Sequence, residues 1–112
     1  MRETESVPLI RLLQFTDTHL VADPAATVRG VRTQASLEAC LVHARRRHLP
    51  ADVIAVTGDL VQDDPRAYGT LELLFDNLGA PVLLIPGNHD VPDEMARRFA
   101  HEPFHVGGTR VL

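Results

Sequence analysis

The chain has 112 residues, a formal net charge of −4, 45% apolar and 23% charged residues, the balance of an ordinary folded domain and not of a disordered or repetitive sequence. That length allows one domain at most, able to bury roughly two thirds of its surface on folding, and the negative charge argues against nucleic acid as a partner. The first residues are charged and no apolar run reaches membrane-spanning length, which argues against a signal peptide, an anchor or a membrane partner.

Residues 1–8 read as a tail, and the domain as 9–112. A first strand is expected over Leu9 to Thr16, with apolar residues on both faces as a strand covered on two sides requires. A loop carrying Pro24 and Gly30 leads to a helix over Thr33 to His48, in which Leu37, Leu41 and Ala44 share one side. The lone Cys40 cannot form an internal disulfide and is placed on an apolar helical face, which fits a reducing, cytoplasmic compartment. Arg45, Arg46 and Arg47 close the helix as a solvated face that complements its dipole. Asp52 to Thr57 is the second strand, so the first unit is β-α-β. Asp64-Pro65 starts a second helix, with a capping carboxylate before a proline at the first turn, and Gly79 stops it. Tyr68, Leu71, Leu74 and Leu78 form its buried stripe. Pro81 to Ile85 is the third strand, a short helix follows from Pro92 to Phe99, and Val111-Leu112 looks like the beginning of another strand. An ending inside an apolar extended run reads as a fragment of something longer.

Each apolar strand runs directly into polar ligand types: Thr16 into Asp17-Thr18-His19, Thr57 into Gly58-Asp59, and Ile85-Pro86-Gly87 into Asn88-His89-Asp90. In a parallel α/β sheet the carboxyl ends of the strands lie side by side, so these residues can converge. An isolated Asp-x-His is most often a helix cap beside an unrelated histidine. Here Asp17 and His19 are two apart, and in an extended segment they would point the same way and grip one metal ion. Asp59 lies directly behind an apolar strand, where burying a carboxylate is costly without a cation or donors. Its two oxygens can bridge two ions about 3.5 to 4 Å apart. Asn88 offers a neutral carbonyl oxygen, which preserves the Lewis acidity of an ion already facing carboxylates. His89 can donate a proton to a leaving alkoxide near neutral pH. Asp90 either orients that imidazole or caps the following helix, the cap being preferred. Asp63 is equally well a turn residue or a support for the loop after the second strand. Mixed oxygen and nitrogen ligation suits manganese, iron or zinc better than calcium.

Asp17-x-His19, Gly58-Asp59 and Gly87-Asn88-His89-Asp90, in this order, resemble the calcineurin-like metallophosphoesterases. The longer strings Thr16-Asp17-Thr18-His19-Leu20 and Thr57-Gly58-Asp59-Leu60-Val61-Gln62-Asp63, with Gly30-Val31 between them, are most similar to bacterial class III 3',5'-cyclic-AMP phosphodiesterases. The resemblance implies an α/β fold, half of a four-layer α/β/β/α sandwich, with three mostly parallel strands and crossover helices. It implies hydrolysis of 3',5'-cyclic AMP to AMP with two divalent ions, iron or manganese, or zinc. Asp17 and His19 would hold the first ion, Asp59 would bridge, and Asn88 would hold the second. His89 would be the catalytic proton donor, and His19, Asn88 and His89 would contact the cyclic nucleotide. The later histidine and the Gly-His-x-His motif of that family have no counterpart here. His101 and His105 read as loop residues, and His43 and His48 belong to the first helix and its end. The missing carboxyl-terminal half of the domain is thus an expected partner. A truncated, catalytically incompetent half-domain, and a related phosphoesterase with another substrate, are the alternative readings.

Overall fold

The computed structural model describes residues 9–99 and 104–106. In chain order it runs β1 (Leu12–Thr16), α1 (Thr33–Arg47), β2 (Val53–Thr57), a single 3-10 turn (Pro65–Ala67), α2 (Tyr68–Phe75), β3 (Val82–Ile85) and α3 (Pro92–Arg98). The strands form one parallel sheet in the order β1-β2-β3. The architecture is therefore α/β, as expected. The expected tail, His101 and the strand expected at Val111-Leu112 lie outside the described residues.

Register decides which face is the core. Leu13 pairs with Ile54 and Phe15 with Val56, while Ile54 pairs with Val82 and Val56 with Leu84. Partners in register share a face, so these side chains form one apolar surface. Onto it pack Leu37 and Leu41 of α1, Leu71 and Phe75 of α2, and Met95 of α3. The Phe15 and Phe75 rings meet edge to face at 5.1 Å. Burying each such side chain contributes about 1.5 to 3 kcal/mol. The other sheet face is less covered: Leu12 is 61% and Ile85 53% exposed. This corrects the expectation for the first strand. β1 is an edge strand beginning at Leu12 and not at Leu9, and its outward positions Leu12, Gln14 and Thr16 are exposed.

Local signals account for most element ends. Leu37, Leu41 and Ala44 are the buried stripe of α1, as their spacing predicts, and Arg45, Arg46 and Arg47 fill its last turn in an exposed setting. Cys40 is exposed, contrary to expectation, because it falls outside the arc that those three residues define. Asp64 does cap, but it caps the 3-10 turn that precedes α2: its carboxylate accepts from Arg66 N. The Arg66 guanidinium, foremost, and the Ala22 N–H at 2.8 Å hold this carboxyl below the usual range. α2 ends at Phe75, and Gly79 then takes the left-handed conformation, φ 77°, that releases the chain toward β3. Phe75 joins Tyr68, Leu71 and Leu78 in the core, whereas Leu74 is only half-buried.

His105 is a second correction. It is buried and bridges antiparallel to Leu83 in the middle of β3, flanked by Leu84 N–H to Phe104 O at 2.9 Å and Val106 N–H to Val82 O at 3.0 Å. The residue decorates no loop; it covers the open edge of β3, where an unpaired ladder would otherwise invite association.

Candidate metal and phosphoester site

The three strand ends do not continue as extended chain. Among the described residues five non-glycine residues adopt left-handed φ: Asp17 (56°), His19 (47°), Arg29 (51°), Asp59 (47°) and Asp63 (54°). Such conformations cost of order 1 to 3 kcal/mol each and persist where surrounding bonds over-determine them. Here those bonds are visible. Gly58 N–H donates to Ile85 O at 2.8 Å, His19 N–H to Asp59 O at 2.9 Å, and Leu20 N–H to Leu60 O at 3.0 Å. Asp17 and His19 share a side of the loop because both are kinked around Thr18, not because the segment is extended. Thr18 points inward, is buried, and its hydroxyl donates to Leu60 O at 2.8 Å.

These turns bring ligand atoms of Asp17, His19 and Asp59 within 4.8 Å of one another. They stand in a cleft of about 500 Å³ that Gln62 and His89 also line. His19 Nδ1 lies 2.8 Å from Gln62 Oε1. A carbonyl oxygen can only accept, so the proton sits on Nδ1, and Nε2, 3.5 Å from Asp17 Oδ1, keeps the lone pair a cation needs. Two carboxylates and one imidazole nitrogen fit a divalent ion, so the chain carries a possible metal site. Asn88 is placed differently. It is exposed and is not among the cleft-lining residues, although its neighbour His89 is.

His89 is oriented by a carboxylate, but by Asp63 and not by Asp90. His89 Nδ1 lies 3.0 Å from Asp63 Oδ2, which requires the proton on Nδ1 and leaves Nε2 as the atom that exchanges a proton. The 3.4 Å approach of the Gln62 amide nitrogen to the same Nδ1 is then packing, since both atoms would be donors. The His89 backbone N–H donates to Asp59 Oδ1 at 2.8 Å, tying the third motif to the second.

Asp90 caps no helix: α3 has no side-chain cap. Its carboxylate, only 8% exposed, accepts from Leu60 N at 2.9 Å, Val61 N at 3.0 Å, Gly87 N at 2.8 Å and Tyr68 Oη at 3.0 Å. The Tyr68 oxygen in turn accepts from Val91 N at 2.9 Å. Asp90 and Tyr68 thus lock the loops after β2 and β3 together beneath the cleft. Sequence reasoning placed Tyr68 in the core and missed its hydroxyl; the signal was a lone tyrosine in an otherwise aliphatic stripe.

Burial, chiefly, and the Asp90 carboxylate push the Tyr68 phenol well above the ordinary tyrosine value. The folded state then holds this proton after the unfolded chain has lost it, so stability falls as pH rises past about 10. The chain has one tyrosine and no lysine, so little else titrates there. Urea midpoints followed upward from about pH 9.5 should fall steadily, and Tyr68→Phe should flatten the slope. A flat wild-type profile would contradict the buried phenol.

The family model for calcineurin-like phosphoesterases matches residues 10–110. The chain belongs to the calcineurin-like phosphoesterase family. Among curated relatives, it is 42% identical over 106 residues to the 3',5'-cyclic adenosine monophosphate phosphodiesterase CpdA of Haemophilus influenzae, covering 94% of this chain and 39% of that protein. It is 39% identical over 87 residues to CpdA of Escherichia coli K12, covering 77% of this chain and 32% of the relative. A probable cyclic nucleotide phosphodiesterase of Synechococcus is 33% identical over 96 residues, with 85% and 37% covered. The chain therefore spans well under half the length of the relatives it matches. No helix among the described residues is long and apolar enough to cross a membrane.

Proposed function

We propose that residues 9–112 form the amino-terminal, metal-binding part of a metal-dependent phosphodiesterase that hydrolyses 3',5'-cyclic AMP to AMP in the cytoplasm. The observation that carries the reading is the convergence of Asp17, His19 and Asp59 within 4.8 Å, in a cleft shared with the Asp63-oriented His89. The choice of substrate is supported by what the relatives are named for. Asp17, His19 and Asp59 would hold a first divalent ion, manganese or iron, with zinc also suited to this donor set. Asp59 could also serve a second ion, for which Asn88, outside the cleft-lining residues, would be the other ligand. Bound ions supply Lewis-acid stabilisation of developing phosphoryl charge. As a water oxygen bonds to phosphorus and the bond to the ribose oxygen breaks, His89 would hand its Nε2 proton to that departing oxygen while Asp63 keeps its ring in register, and His19 and Asn88 would hold the phosphate in place.

The ligand count favours a second reading at the level of the isolated polypeptide. Asp17, His19 and Asp59 are the one such cluster among the described residues, and Asn88 stands outside the cleft. Two protein ligands hold a second ion poorly against water, so the 112-residue chain by itself is expected to be catalytically incompetent. Titration calorimetry should show weak binding of one manganese ion, lost in Asp59→Ala. Binding that survives Asp59→Ala would overturn the assigned site. Robust cyclic AMP turnover by the purified chain with manganese, vanishing in Asp59→Ala, would instead overturn incompetence.

A further inference from the structure

We propose that Arg29 is an anion-binding residue of the cleft, receiving a non-bridging phosphoryl oxygen of the substrate; the inference rests on the phosphoester reading above. Val28 and Val31 exchange backbone hydrogen bonds, Val28 N–H to Val31 O at 2.8 Å and Val31 N–H to Val28 O at 3.0 Å. The two residues between them, Arg29 at φ 51° and Gly30 at φ 82°, are both left-handed, as a type I′ turn demands. Asparagine is the comfortable residue at the first of these positions. The chain instead holds an arginine there, on the rim of the cleft that contains Asp17, His19, Asp59 and His89.

The guanidinium makes no hydrogen bond or ion pair among the described residues, although Asp17 and Asp59 line the same cleft. Bound metal would take up the charges of Asp17 and Asp59, so neither carboxylate is left to neutralise Arg29. A planar fork of donors with no protein partner matches phosphoryl oxygens in both charge and geometry. The same wall has a buried group without a partner. Thr33, the first residue of α1, lines the cleft, is 9% exposed, and its Oγ1 has no hydrogen-bond partner. The helix it begins has no capping side chain, so its first N–H groups add to the positive end presented there.

The test is titration calorimetry of inorganic phosphate into the manganese-loaded chain. Arg29→Asn keeps the turn, since asparagine accepts left-handed φ, and removes only the guanidinium. It should weaken phosphate binding by about tenfold or more, as expected for a charge-assisted contact, with manganese affinity unchanged. Arg29→Lys should fall between the two, because a lysine offers charge without the fork. Phosphate binding that is untouched in Arg29→Asn but lost in Asp59→Asn would overturn the Arg29 assignment and leave the metal site standing. Lost manganese binding in Arg29→Asn would also overturn it, since the turn would then be supporting the metal loop. Failure of the wild-type chain to bind manganese would overturn the phosphoester reading and this inference together.

Discussion

Replacing Asp90 by asparagine, a change of almost no volume, is expected to cost about 3 kcal/mol of stability. Each carboxylate oxygen of Asp90 receives two donors: Leu60 N and Gly87 N on Oδ2, Val61 N and Tyr68 Oη on Oδ1. An asparagine amide has one oxygen. Whichever way it turns, two buried donors face an NH₂ group that cannot accept, and each donor left unsatisfied costs about 1 to 3 kcal/mol. Asp90→Ala should lose at least as much. In a domain of this size a loss of 1 kcal/mol lowers the melting temperature by about 4 to 8 °C, so the effect should stand well clear of error in a thermal scan. If Asp90→Asn melts with the wild type, the carboxylate merely fills space and the lock between the two loops does not exist.

Gly87→Ala should leave the fold recognisable and abolish metal binding. Its φ is not left-handed, so the backbone would accept alanine and the steric effect acts alone. A Cβ at Gly87 would lie 2.6 Å from Asp59 Oδ1, closer still to the Asp59 backbone nitrogen, and 3.0 Å from Gly58 Cα. Two of those three are backbone atoms, which cannot rotate away. The added methyl must therefore push the Gly58-Asp59 turn off its position, and Asp59 is one of the three residues whose ligand atoms converge in the cleft. A misplacement of about 1 Å is enough to spoil a site that depends on preorganised ligands. Manganese titration of Gly87→Ala should resemble that of Asp59→Ala, with near-native circular dichroism. Wild-type affinity in Gly87→Ala would show that the turn yields without moving its carboxylate, and would remove the reason for a glycine there.

The two results would separate two functions of one short stretch. Gly87 sets how closely the third strand end approaches the second, and Asp90 holds it there. His89 then occupies the cleft with its backbone N–H on Asp59 Oδ1 and its ring on Asp63. Asp63 and His89 are both substantially exposed, at 68% and 40% for their side chains, so their pairing adds little to stability. Its consequence is the fixed tautomer of His89.

Much of this was written locally. Three apolar runs of strand length, each followed within a few residues by ligand types, pointed to the parallel sheet and to the meeting of Asp17, His19, Asp59 and His89 at its carboxyl end, though not to the place of Asn88 outside the cleft. The stripe Leu37, Leu41 and Ala44 determined the buried face of α1, and Asp64-Pro65 marked where the chain turns toward α2. Hydrophobic period and turn chemistry act within a few residues, which is why they can be read without coordinates. The tertiary structure alone decided which carboxylate serves which purpose. Asp63 and Asp90 flank the same histidine in space, yet the nearer in sequence binds backbone donors about thirty residues away and the more distant one orients the ring. No local pattern distinguishes them, because the partners of each are assembled only when β2 and β3 pair. The left-handed turns at Asp17, His19 and Asp59 were equally invisible: aspartate and histidine tolerate that conformation without demanding it, and it is the hydrogen bonds between neighbouring strand ends that impose it. The exposure of β1 followed for the same reason. A strand of apolar residues encodes that it pairs, while its place at the edge of the sheet depends on what else the chain brings beside it.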